Sequence, residues 1–330
     1  MAAAITTMCL GNGIGFKFAG KPDMQELFKA DYGALILEVA ADSDIEKALA
    51  GTGCYELGIT TQNSSIVIGD AVVSFNDAKK AYTSPLEKIF PASVKTSDKG
   101  ASEYLYTGGN RVKPQVGFAK PKIFIPVFPG TNCEYDTARA FRRAGGDPQT
   151  LVIRNLTPQA VEESVEAIVK GIEASQIIML PGGFSGGDEP DGSGKFIAAI
   201  FRNPRIKEAV HKLLQQRDGL MLGICNGFQA LIKLGLVPYG EIRDLDAASP
   251  TLTHNQIGRH ASCMVRTKVV SNLSPWFNNV KPGEIFTIPI SHGEGRFFAD
   301  KEVVAKLRIN GQIATQYVNE AGAPTLEMPF

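Results

Sequence analysis

Residues 219–235, GLMLGICNGFQALIKLG, pass without a break from a short apolar run into an amphipathic one. Leu220 to Ile224 has the length and composition of a buried strand, and the apolar spacing after Cys225 fits a helix that stops at Gly235. Cys225 falls on the corner, between Gly223 and Gly227. That is the G-x-Nuc-x-G pattern of a nucleophile elbow, in which a sharp strand-to-helix turn lifts one side chain above the sheet while small neighbours relieve the crowding. A thiol there sits at the positive end of a helix dipole, which favours thiolate, and the first NH of the helix, that of Asn226, faces an oxyanion. The competing reading makes Cys225 a small buried hydrophobe at a strand end.

Upstream, the same alternation repeats. KIFIPVF (122–128) reads as a buried strand, DTARAFRRAGG (136–146) as a helix with a glycine stop, and TLVIR (150–154) as a strand. Thr157-Pro158 then caps a helix running to about Ala174, QIIML (176–180) is a third strand, NPRIKEAVHKLLQQRDG a further helix and LMLGI (220–224) a fourth strand. Strands and helices alternating at this spacing imply right-handed crossovers and a doubly wound, flavodoxin-like α/β fold with a parallel sheet. Ligands gather at the carboxyl ends of such strands. The loop after 180, PGGFSGGDEPDGSGKF, packs four glycines into 182–187, which lets backbone NH groups approach a ligand closely. Gly183 is the expected second oxyanion donor. A Walker phosphate loop is disfavoured, because Gly194-Lys195 is followed by Phe196 rather than Ser or Thr.

The stretch 94–121, VKTSDKGASEYLYTGGNRVKPQVGFAKP, has neither apolar period and reads as a linker between a unit at 1–93 and another at 122–330. In the first unit, strands are expected at 34–39, 55–60 and 65–68. DSDIEKALAG is expected to be a helix capped by Asp42 or Ser43 and stopped at Gly51 or Gly53. The run Gly11-Asn12-Gly13-Ile14-Gly15 lacks a preceding strand and is weak as a nucleotide site.

At the elbow and the glycine loop the sequence resembles the class I (triad) glutamine amidotransferases, whose G-x-C-x-G-x-Q signature is matched by LGICNGFQ and whose oxyanion loop is matched by LPGGFSGGD. More narrowly, FPGTNCEYDT (128–137) and IPISHGEGRFF (288–298) resemble the amidotransferase domain of the phosphoribosylformylglycinamidine synthases of purine biosynthesis. The first ninety residues resemble the closing α/β portion of that family's synthetase domain, itself related to aminoimidazole ribonucleotide synthetase, in the order of the large single-chain form. The resemblance implies a ligase that uses ATP and magnesium, converts formylglycinamide ribonucleotide to formylglycinamidine ribonucleotide, and draws ammonia from glutamine. It implies Cys225 as nucleophile, Gly183 and Asn226 as oxyanion donors, Gly182, Phe184 and Gln229 around bound glutamine, and Asn255 and Arg259 lining the same pocket. The implied partners are glutamine and an upstream synthetase region.

The family's cysteine takes its His and Glu from an H-x-E segment near the C-terminus, and that segment is expected beyond Phe330. His292-Gly293-Glu294 spells H-x-E but matches an earlier element of the family, so both residues are expected at the rim of the site rather than in a triad. Of the remaining histidines, His211 is expected to be solvated on a charged helix, while His254 and His260 fit a surface or a pocket equally. The upstream acidic and glycine-rich ATP pattern is also missing. The expectation is therefore a C-terminal fragment, weakly active or inactive by itself, with no cofactor or metal of its own. A non-catalytic binding or scaffold domain that keeps the amidotransferase fold is the competing class, favoured by the missing His-Glu pair. A different cysteine hydrolase explains the elbow but neither residues 129–137 nor the first ninety.

Composition is consistent with this. Of 330 residues, 44% are hydrophobic and 21% charged, and 34 basic residues balance 34 acidic ones, so nothing in the total calls for nucleic acid or an anionic membrane. Five cysteines without a C-x-x-C pair fit a reducing compartment, and MAAAITTMCLGNGIGF lacks the basic start and apolar core of a secretory signal. The cytoplasm is expected.

Overall fold

The computed structural model describes residues 1–89, 101–108, 117–187 and 193–326. The chain divides into two compact units, Met1–Ala92 and Ser93–Phe330.

In the first unit, strands β1 (Gly15–Phe18), β2 (Gly58–Thr61), β3 (Ser65–Ile68) and β4 (Ala71–Ser74) form one sheet in the order β2-β1-β3-β4, with only β1 and β3 parallel. Ile5 and Cys9 of the helix Ala2–Asn12 bury against Phe18, Leu27 and Ile66. The strand-like run 34–39 is not a strand, and Leu35 and Leu37 are 83% and 61% exposed. An apolar run becomes a strand only where it pairs with another strand, and 34–39 joins neither edge of the sheet β2-β1-β3-β4. The strand expected at 55–60 begins at Gly58, and the helix before it, Ile45–Ala48, is capped by Asp44, whose carboxylate accepts from the Lys47 amide, not by Asp42 or Ser43. The Gly11 to Gly15 run lies at the C-terminal end of the helix Ala2–Asn12, with Gly13 at φ 68 as its cap. Carbonyls rather than amides face outward there, so this run does not fit a phosphate group.

The second unit is built on four parallel strands, β5 (Lys122–Val127), β6 (Asp147–Val152), β7 (Ile177–Leu180) and β8 (Leu220–Gly223), in the order β6-β5-β7-β8. Strand residues alternate between two apolar layers. Phe124, Ile178 and Leu180 enter a large core with Ile168, Ile172, Phe201, Ile206, Val210 and Leu234 from the helices Pro158–Glu173, Lys195–Phe201, Pro204–Gln215 and Asn226–Leu234. Ile123, Ile125 and Met179 enter a smaller one with Ala138 and Phe141 of the helix Glu134–Arg143. Right-handed crossovers require this division, because the path from β5 to β6 runs across the sheet in the opposite direction to the paths from β6 to β7 and from β7 to β8. Each fully buried Ile, Leu or Phe here contributes about 1.5–3 kcal/mol. The fold is thus the doubly wound, flavodoxin-like α/β arrangement.

Order reverses between β5 and β7, and at that point the loops that follow them, 128–133 and 181–187, meet at the carboxyl ends of the strands through an antiparallel bridge of Thr131 with Gly183. The sequence pattern did not announce the second layer of structure. Strands β9 (Thr251–Thr253), β10 (Ala261–Val269), β11 (Ile285–His292), β12 (Arg296–Phe298) and β13 (Thr315–Val318) form two antiparallel sheets, β11-β10-β13 and β12-β9. Residues 101–108, assigned by composition to a linker, are tied to this layer. The Tyr104 amide donates to Gln316 Oε1 at 3.2 Å, the Tyr106 amide donates to the Val270 carbonyl at 2.7 Å, and Glu103 pairs with Lys268 at 2.8 Å. Residues 94–100 and 109–116 of that stretch lie outside the described residues. Among the described residues no helix is long and apolar enough to cross a membrane.

Candidate active site

Cys225 stands at the corner between β8 and the helix Asn226–Leu234, exposed, with φ 54 and ψ −114. A non-glycine residue at positive φ costs on the order of 1–3 kcal/mol, which the surrounding packing must offset. The flanking glycines make the corner possible. A Cβ on Gly227 would lie 2.0 Å from the Leu180 carbonyl oxygen, and one on Gly223 would lie 2.6 Å from the Gly227 carbonyl oxygen. The helix is then started by the Gln229 amide, which donates to the Cys225 carbonyl at 3.0 Å.

The glycine loop packs directly on this corner. A Cβ on Gly182 would meet the Cys225 Cβ at 3.3 Å, and Gly183 has φ 115. FPGTNC is the brace of this loop. The Phe184 amide donates to the Gly130 carbonyl at 2.8 Å, the Gly186 amide to the Pro129 carbonyl at 2.8 Å, and the Asn132 amide to the Gly182 carbonyl at 3.1 Å. None of these three bonds uses the amide of Gly183. Asn226, 1% exposed, adds a fourth tie, its Oδ1 accepting from the Ser185 amide at 3.2 Å. Cys133, next in the brace, has a thiol that donates to Asn132 Oδ1 at 3.0 Å. Burial, and then the neighbouring Asp136, Cys225 and Glu134 charges, push its pKa above the ordinary 9.0, so it is held as the thiol.

The antiparallel layer closes the other side. Pairing of β9 with β12 sets Thr253 opposite Arg296 and so brings His254 to Glu294, while pairing of β10 with β11 sets Ala261 opposite His292. Together the segments enclose a cavity of about 500 Å³ lined by Gly183, Phe184, Ser193, Cys225, Gln229 and, from the antiparallel layer, His254, Arg259, His260, His292 and Glu294. Gln229 joins the two layers: its Nε2 donates to the Glu294 carbonyl at 2.8 Å and its Oε1 accepts from Asn226 Nδ2 at 3.2 Å.

Asn255 is not among the lining residues. It is 4% exposed behind them, where its Nδ2 donates to the carbonyls of His292 at 2.7 Å and Arg259 at 3.0 Å. Its Oδ1 must then accept, so His292 donates from Nδ1 across 2.9 Å. Burial, with the His260 charge second, holds His292 below its ordinary pKa of 6.5. Glu294 makes different contacts: Ser193 Oγ donates to Oε2 at 2.7 Å, and His254 Nδ1 lies 3.4 Å from Oε1. His292 and Glu294 therefore face separate partners, although they spell H-x-E. His260 Nε2 is 2.8 Å from Ser291 Oγ. His211 is not simply solvated, since its Nε2 accepts from the Ile242 amide at 2.9 Å. Among the described residues no three His, Cys, Asp or Glu side chains converge as a metal site.

Ser193 and the brace 129–132 are the parts of the site that sequence reasoning did not assign. Gly130 was the available signal, because a Cβ there would lie 2.1 Å from the Phe184 carbonyl oxygen.

The chain is 34% identical over 201 residues to the phosphoribosylformylglycinamidine synthase subunit PurQ of Trichormus variabilis, covering 60% of this chain and 75% of that one. It is also 34% identical over 206 residues to the subunit of the same name from Chlorobium chlorochromatii, covering 62% and 75%. Among solved structures, PurLQS from Thermotoga maritima matches with 28% identity and a TM-score of 0.44, over 61% of this chain and 76% of that one. The sequence model of the CobB/CobQ-like glutamine amidotransferase domain matches residues 120–330, and the chain belongs to that family.

Proposed function

We propose that the second unit is the glutamine amidotransferase of a phosphoribosylformylglycinamidine synthase, releasing ammonia from glutamine at Cys225 for an ATP-dependent synthetase in purine biosynthesis. The observation that carries this reading is Cys225 raised on a positive-φ corner into a cavity walled by the glycine loop. The Cys225 thiolate attacks the carboxamide carbon of glutamine. A C–S bond forms, and the charge that develops on oxygen is taken by the NH groups of Gly183 and Asn226. Collapse of that adduct breaks the C–N bond, the nitrogen leaves as ammonia after gaining a proton, and water hydrolyses the thioester to glutamate. Gly182 sets the loop against the sulfur, Phe184 and Gln229 wall the side-chain channel, and Arg259 faces the polar end of the substrate, with Asn255 holding the Arg259 and His292 backbone in place.

His292 is committed to Asn255, so we assign it to the rim of the site rather than to the role of general base. The first unit is read as the closing portion of a synthetase region, as in single-chain forms of the enzyme, and that region is the destination of the ammonia and the partner for ATP and magnesium. An L-glutamine-derived electrophile should alkylate Cys225, and glutamine should slow that alkylation. Peptide mass spectrometry showing modification confined to Cys54, Cys133 or Cys263 would overturn the assignment. Labelling is the appropriate test because it requires the nucleophile and the pocket but not complete turnover.

A further inference from the structure

Resting on the amidotransferase reading, we propose that Glu294 selects the substrate by binding its α-ammonium group, and so distinguishes glutamine from amides that lack one. Free glutamine is a zwitterion: besides the carboxamide that reacts, it brings one positive and one negative charge into the pocket. Among the described residues that line the cavity there is one carboxylate, Glu294, against one guanidinium, Arg259, and three imidazoles, His254, His260 and His292. A buried ammonium requires an anionic partner, and among the described lining residues Glu294 supplies it.

The Glu294 carboxylate is also built to stay where it is. Ser193 Oγ donates to Oε2 at 2.7 Å, which uses one of about four acceptor positions on the group. The main-chain carbonyl of Glu294 accepts from Gln229 Nε2 at 2.8 Å, and Gln229 lies one helical turn after Cys225. The position of the carboxylate is therefore registered against the nucleophile through a single side chain. With the Glu294 side chain 25% exposed, part of the group remains open to the cavity. His254 Nδ1, 3.4 Å from Oε1, is 80% exposed and leaves that side accessible.

The test measures how well two ligands protect Cys225 from iodoacetamide, following the Cys225 peptide by mass spectrometry in the full chain. One ligand is L-glutamine and the other is 4-carbamoylbutanoate, the same molecule without its amino group. A charge-assisted hydrogen bond contributes roughly 1.5–3 kcal/mol, so glutamine should protect at concentrations about 10- to 100-fold lower. Glu294→Gln should bring that ratio close to one while changing protection by 4-carbamoylbutanoate by less than about threefold. Ser193→Ala keeps the charge and removes only its anchor, so it should lower the ratio part of the way, and it carries the test if thermal unfolding shows that Glu294→Gln is misfolded.

A ratio unchanged in both variants overturns the proposal, as does an equal loss of protection by both ligands, which would indicate a merely structural role. If neither ligand protects the unmodified chain, the amidotransferase reading fails and this inference fails with it. If glutamine protects and the ratio does not respond to Glu294→Gln, only the inference fails.

Discussion

At the scale of single residues, the pair of buried Asn255 and half-buried His292 decides how the antiparallel layer meets the cavity. Asn255 donates to two carbonyls and accepts from His292, so Asn255→Ala leaves three polar groups to find new partners and should cost about 2–3 kcal/mol, seen as a lower thermal midpoint. His292 makes the same contact sensitive to pH. Its folded pKa lies below the ordinary 6.5, chiefly through burial. As pH falls through 6.5 the unfolded chain takes up the proton before the folded chain does. Stability is therefore full above that pH and declines below it. Thermal midpoints measured between pH 7.5 and 5.5 should fall more steeply for the native chain than for His292→Gln, and parallel curves would refute the assignment. The residues that carry chemistry were legible in the sequence where one position had to satisfy two demands at once. Cys225 had to end a strand and start a helix, and its spacing from Gly223 and Gly227 recorded both. Ser193 has no such signature, because its role depends on Glu294, 101 residues away.

Among the elements, the parallel sheet was readable because β5, β7 and β8 are short apolar runs with helices of clear period between them. The antiparallel layer was not. Strand β11, IFTIPISH, is largely exposed along its length, so burial imposes no strict alternation on it and the sequence shows none. The opposite error occurred at 34–39, where a strand-like apolar run is present but no strand forms. Tight element packing around the nucleophile gives the sharpest prediction at this scale. The helix Asn226–Leu234 approaches β7 so closely that Gly227→Ala would drive a Cβ into the backbone of Leu180, which is not a flexible side-chain end that can move aside. The substitution should cost about 3 kcal/mol, which for a unit of this size lowers the thermal midpoint by roughly 6–12 °C. It should also slow alkylation of Cys225, because the corner cannot keep its geometry once the helix is pushed away. Unchanged stability together with unchanged labelling would mean that the close approach of helix and strand is not needed for the elbow.

For the molecule as a whole, the question is where the second unit begins. Composition places its start at 122, after a polar stretch, but residues 101–108 are bonded to the antiparallel layer that closes the cavity. Gln316 illustrates the connection: its Oε1 accepts from the Tyr104 amide and its Nε2 donates to the Ser102 carbonyl at 2.7 Å. Arg308 stacks over the Tyr104 ring at 5.0 Å, and Lys268, whose side chain is 16% exposed, is paired with Glu103. Removing the segment leaves a mostly buried lysine without its carboxylate and deletes at least three hydrogen bonds. Each such bond contributes about 1 kcal/mol, so the loss is roughly 3 kcal/mol. A chain beginning at 101 should accordingly melt about 6–12 °C above one beginning at 122, as followed by circular dichroism. Because the strap binds β10 and β13, and β10 leads back to His260 and Arg259, the shorter chain should also show weaker protection of Cys225 by glutamine. Equal melting temperatures for the two chains would return 101–108 to the status of a plain connection, and the polar composition of that stretch would then have been the better guide.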